Sequence, residues 1–190
     1  RSQEALDLLH EAIPVLHRAA VNESQGHHFR TMYANALRAT GNAYNNRGRF
    51  DLGAPYHRTA LNVLVDTLGW NHNFTADMAQ GLADSWYYQG RNAEAERLYR
   101  KVVAVYEATV GRQNPDCAIV LNNLARLLAY NGRYEEGVAM GREALEIKRR
   151  FFDADSPEVA ISMLSLGNIY TIEDDFEKAL PLVESALDVF

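Results

Sequence analysis

Apolar positions fall along this chain at helical spacing, and the helical stretches themselves recur with a fixed period. Ala95, Leu98, Tyr99, Val102, Val103 and Tyr106 lie three and four residues apart, the stripe of a helix with one buried face. Small residues repeat with the stripe. Gly41, Ala83, Ala125 and Gly167 stand 42 residues apart, as do Gly53, Ala95, Gly137 and Ala179, and Ala60, Val102, Ala144 and Ala186. Large residues keep the same step: Tyr44, Trp86, Leu128 and Tyr170, then Leu61, Val103, Leu145 and Leu187. Small side chains at fixed points let two helix axes approach to the short end of the usual ~8–10 Å. One hairpin cannot bury all this apolar surface, whereas stacked hairpins can.

Punctuation marks the elements. Gly48-Arg49-Phe50, Gly90-Arg91-Asn92, Gly132-Arg133-Tyr134 and Asp174-Asp175-Phe176 share one register, where glycine suits a left-handed helix stop. Leu68-Gly69, Val110-Gly111 and Phe152-Asp153 mark the end of each second helix. Asn114-Pro115 and Ser156-Pro157 read as N-cap followed by proline in the first turn, where its missing N–H costs nothing. Residues 1–29 read as a partial leading repeat, with full repeats at 30–71, 72–113 and 114–155 and a truncated fourth at 156–190. Pro14, Pro55 and Pro181 fall inside second helices and predict slight bends. Gly137 is expected at a close backbone contact. Gly141, standing where Tyr99 and Val183 stand, predicts a softer spot.

These motifs resemble the tetratricopeptide repeat family, in the 42-residue variety of kinesin light chains. The third repeat carries the resemblance: Val110-Gly111-Arg112-Gln113-Asn114-Pro115-Asp116, then Leu121-Asn122-Asn123-Leu124-Ala125, Gly132-Arg133-Tyr134-Glu135-Glu136-Gly137 and Ala144-Leu145-Glu146-Ile147. In the second repeat Asn73-Phe74 replaces the Pro-Asp pair, which leaves that helix start open. The resemblance implies an all-α fold, a right-handed superhelical solenoid of antiparallel helix hairpins spanning 1–190. It also implies a non-catalytic scaffold that binds a peptide segment or partner protein in a concave groove lined by the first helices. A rival reading is a regulatory segment of a larger protein, beside a caspase-like protease or signalling ATPase domain.

Carried over position by position, the groove would present Arg38, Asn42 and Asn45 in the first repeat and Gln80, Asp84, Tyr87 and Tyr88 in the second. Asn122, Asn123, Arg126 and Tyr130 follow in the third, then Ser165 and Asn168 in the fourth, flanked by Ile119, Ile161 and Leu164. Amide side chains both donate and accept, so they pair with any peptide backbone. Tyrosine adds rigid contact area, and arginine can fork onto carboxylates. The same residues also suit internal roles. Asn122 or Asn123 can bond between repeats, one of Tyr87 and Tyr88 can sit partly in the core, and Arg38 or Arg126 can pair with Asp77 or Asp84.

Composition narrows the rest. A net charge of −6 argues against a nucleic-acid surface, and no apolar run approaches the roughly 20 residues that span a bilayer. The single cysteine, Cys117, cannot pair within the chain, which suits a reducing compartment and a cytoplasmic location. It is expected to be a small, half-buried residue. His10, His17, His27, His28, His57 and His72 show no metal-ligand spacing and are expected at the surface or as caps. No nucleophile elbow, phosphate loop or dinucleotide fingerprint occurs, so no catalytic residue, metal or cofactor is expected. The chain opens without methionine and its helical pattern runs to Phe190, as in a fragment of a longer protein.

Overall fold

A computed structural model describes residues 2–21 and 26–190. The described residues form helices without strands: α1 (Ser2–Val21), α2 (Gly26–Asn45), α3 (Phe50–Leu68), α4 (Asn73–Tyr88), α5 (Asn92–Thr109), α6 (Pro115–Tyr130), α7 (Tyr134–Phe151), α8 (Pro157–Ile172) and α9 (Phe176–Leu187). Helices α3, α5, α7 and α9 begin 42 residues apart, and so do α4, α6 and α8, so the period read from the sequence is a structural period. The chain forms two compact units, Arg1–Leu98 and Tyr99–Phe190. In the first, α2 packs on α1 and α3, and α4 on α3 and α2. In the second, α7 packs on α6 and α8, α9 on α8, and α8 also on α6.

Each hairpin turn closes by the same bond. The backbone N–H groups of Arg49, Arg91, Arg133 and Asp175 donate to the carbonyls of Tyr44, Trp86, Leu128 and Tyr170 at 2.9–3.0 Å. The residue before each donor has positive φ: Gly48 at 70°, Gly90 at 75°, Gly132 at 78°, and Asp174 at 58°. Aspartate is among the few non-glycine residues that tolerate this region, and the fourth turn keeps its geometry without glycine. The first helices α4, α6 and α8 start on side-chain caps. Asn114 accepts from the Asp116 N–H and Ser156 from the Val159 N–H. His72 Nδ1 accepts from the Phe74 N–H, which settles the start of α4 where the sequence motif departs.

The small-residue positions are all buried, so the recurring Gly and Ala faces meet inside the hairpins. A Cβ on Gly137 would stand 2.7 Å from the Ala125 carbonyl oxygen, and one on Gly53 2.9 Å from that of Gly41. The close contact expected at Gly137 is therefore present. Gly141 corrects its expectation. Its space is filled by methyl groups of Leu166 and Ile169 from α8, 3.2 and 3.3 Å from where a Cβ would stand, so the helix is not soft there. Those methyls end flexible side chains that can yield slightly, while alanine recovers about 0.8–1 kcal/mol of helix propensity. Gly141→Ala should therefore shift the melting temperature by less than about 2 °C in either direction, readable by circular dichroism.

Candidate functional site

In the second unit, the contact between α6 and α8 leaves an open cavity of about 420 Å³. Helix α6 contributes Ile119, Asn122, Asn123 and Arg126. Helix α8 contributes Glu158, Ile161, Ser162, Leu164, Ser165 and Asn168, and Lys148 reaches in from α7. Five of the residues expected in the groove thus converge: Asn122, Asn123, Arg126, Ser165 and Asn168. Ile119 and Ile161 form apolar shoulders, 41% and 57% exposed.

Asn122 is the best-defined polar group in this wall. It is buried, and its Nδ2 donates to Ser162 Oγ at 2.9 Å, which ties α6 to α8 as the internal reading of this residue anticipates. Its Oδ1 is buried with no hydrogen-bond partner. Burying an acceptor unmet costs roughly 1–3 kcal/mol. Lys148 is the residue that the sequence reading missed. It belongs to a second helix, where the groove pattern assigns no lining residue, yet its stem is buried and its ammonium lies 5.1 Å from the Phe152 ring centre. Burial pulls its pKa down, while the charges of Asp116 and Glu158 oppose that shift. The basic residue four positions before Phe152 was the available signal. Tyr130, at the far end of α6, is 61% exposed and does not line the cavity.

In the first unit, Arg38, Asn42 and Asn45 lie on α2, and Gln80, Asp84, Tyr87 and Tyr88 on α4. Asn45, Tyr87 and Tyr88 are among those engaged internally. Asn45 Nδ2 donates to Ser85 Oγ at 2.8 Å and stands 3.5 Å from His57 Nε2. The Tyr88 ring stacks on Phe50 with centroids 4.5 Å apart and planes 13° from parallel, and Tyr87 meets it edge-on at 5.0 Å. Tyr87 is half-buried, as expected for one of the pair.

The histidines divide. His72 caps α4, and His10 is exposed beside the hydroxyls of Tyr44 and Tyr56 at 3.4 and 3.3 Å. His57 overturns the surface expectation. It is fully buried between Gly41 and Gly81, and a Cβ on either glycine would come within 2.7–2.8 Å of its ring. Burial drives its pKa down to about 4, and the nearby Arg38 charge adds to the shift. The register held the clue, because His57 occupies the position of Tyr99, which is also fully buried. Cys117 is buried completely rather than by half, and burial pushes its thiol up to about 11, away from the reactive thiolate. Among the described residues, no three His, Cys, Asp or Glu side chains converge as metal ligands. None of the described helices is long and apolar enough to cross a membrane.

Hairpins closed by one repeated turn and packed through small side chains define a helical-repeat scaffold. Two models described as tetratricopeptide repeat match residues 75–116 and 116–190, together more than half of the chain. The chain belongs to the tetratricopeptide repeat family. Solved structures agree over almost its whole length. BtubC (BKLC) from P. vanneervenii is 22% identical, with a TM-score of 0.80 over 99% of this chain and 72% of that one. A putative kinesin light chain from Podosopora anserina with nearly identical TPR-like repeats is 21% identical, with a TM-score of 0.72 over 99% and 86%. MamA is more distant, at 14% identity and a TM-score of 0.59 over 95% and 88%. No curated protein sequence matches. At these identities the likeness carries the fold, a kinesin-light-chain-like repeat array. Together with the family it supports a protein-interaction scaffold, of a kind that is generally non-catalytic.

Proposed function

We propose that the chain holds a peptide segment of a partner protein along its first helices, with the α6–α8 cavity as the principal seat. The supporting observation is the convergence there of amide, hydroxyl and guanidinium side chains between two exposed isoleucines. Amides give sequence-tolerant bonds to a peptide backbone, and the isoleucines take apolar side chains. Asn122 ties the two helices at the base of this wall, and Asn123, Arg126, Ser165 and Asn168 supply its polar groups. In the first unit, Arg38, Asn42, Gln80, Asp84 and Tyr87 are the corresponding first-helix candidates for peptide contacts. A reducing compartment such as the cytoplasm suits the single buried cysteine.

The test is selection of binding peptides from a displayed random library against the whole chain, followed by affinity measurement on a variant. Asn123→Ala, Arg126→Ala and Asn168→Ala together should weaken the selected peptides at least tenfold, at about 0.5–1.5 kcal/mol per hydrogen bond. The far-ultraviolet circular dichroism should stay unchanged. Asn122 is spared because it ties α6 to α8. Equal affinity for the wild-type chain and the folded triple variant would overturn the proposal.

A further inference from the structure

On the other side of α7, a cleft of about 420 Å³ opens between α7, α8 and α9. Its floor is apolar, formed by Leu145, Leu166 and Leu182, and its rim carries Arg142, Arg149 and Lys178. We propose that this cleft is a second docking site, separate from the α6–α8 groove, for an acidic segment of a partner protein.

The case rests on where the unit leaves positive charge uncompensated. Arg100 and Arg133 pair with Glu136, Arg112 with Glu107 and Glu143, Arg150 with Glu146, and Lys178 with Asp175. Arg142 and Arg149 have only weak acceptors. Arg142 Nε donates to the Tyr170 hydroxyl at 2.8 Å, and an Arg149 Nη lies 3.7 Å from Met163 Sδ. Both side chains are exposed and both line this cleft, in a chain whose net charge is −6. Neither arginine forms an ion pair among the described residues: Asp175, the acid that senses the Arg142 charge, is paired with Lys178, and the two arginines stand together on this rim. The one carboxylate in the lining, Glu146, forms a surface pair with Arg150.

The geometry specifies the ligand. Arg142 and Arg149 are seven residues apart on α7, so they project from one face about 10.5 Å apart along the axis. Tyr170 fixes the Arg142 stem by the Nε bond and lies with its ring centre 5.8 Å from the guanidinium carbon, which leaves the two Nη groups to fork onto a carboxylate. Two carboxylates at this spacing share one face when they stand two turns apart on a helix, or three residues apart on a polyproline II segment. An apolar side chain between them would meet the leucine floor.

Two fluorescein-labelled twelve-residue peptides test this, one with glutamates on either side of a central leucine, the other with lysines in their place. The glutamate peptide should bind the whole chain at low salt and the lysine peptide should not. Arg142→Gln with Arg149→Gln should weaken the glutamate peptide at least tenfold. Arg149→Gln alone, which gives up only a contact to sulfur within the fold, should weaken it at least threefold. The Asn123/Arg126/Asn168 triple variant should bind it unchanged. Three results would each overturn the proposal: equal affinity for both peptides, binding retained by the folded arginine variants, or full displacement by 10 mM inorganic phosphate. The last would mark a general oxyanion site.

Discussion

Gly137→Ala is expected to lower the melting temperature by about 2–6 °C, although alanine is the better helix former. The added methyl would stand 2.7 Å from the Ala125 carbonyl oxygen and 3.2 Å from the Ala129 amide nitrogen. Both are backbone atoms of α6 and cannot swing aside, so α6 and α7 must separate. Overpacking of this kind costs about 1–3 kcal/mol, and separation also loosens the Leu121, Leu124 and Leu128 core of α6. A gain of about 0.8–1 kcal/mol in helix propensity offsets only part of this. Ala179 holds the matching position in α9, where the first-helix position opposite is Gly167 rather than an alanine. Gly137→Val should cost more than Gly137→Ala. Thermal melts of both variants check the order, and an alanine variant as stable as the wild type would show that the α6–α7 spacing is not fixed by this contact.

The same contact shows why so much of the fold was legible. A position that must be small in every repeat leaves a trace at a fixed interval, and 42-residue steps in Gly, Ala and turn residues carried the helix order, the turns and the register. The site was legible only where it follows that register. Asn122, Asn123, Arg126, Ser165 and Asn168 were found because first-helix positions face one way. Lys148 and the arginines of α7 were missed because second-helix residues were read for packing alone, and a long side chain can reach past its own face. The Gly141 and His57 expectations failed for a related reason. Each was judged from its own helix, while its space is set by partners on neighbouring elements: Leu166 and Ile169 for Gly141, Gly41 and Gly81 for His57.

His57 makes the first unit sensitive to acid. In the folded chain the imidazole is fully buried, its Nδ1 has no hydrogen-bond partner, and its Nε2 has only the amide of Asn45 at 3.5 Å. No anion is placed to receive a proton, and the Arg38 charge opposes one, so the neutral form is held down to about pH 4. The unfolded chain protonates near the ordinary value of 6.5. Because the folded pKa is the lower one, the unfolded state takes up protons first as pH falls. The stabilisation is therefore complete above pH 6.5, is lost progressively below it, and is gone beneath pH 4. About 2 kcal/mol should be lost by pH 5 and about 3 kcal/mol in total, a substantial share of a typical stability of 5–15 kcal/mol. His57→Leu keeps a similar volume and removes the titration, so urea midpoints of the variant should vary less between pH 7.5 and 5 than those of the wild type. Surface carboxylates titrate alike in both chains, so the difference between the two profiles isolates His57. Parallel profiles would mean that the buried imidazole is reached by solvent or by a counter-charge before the fold opens.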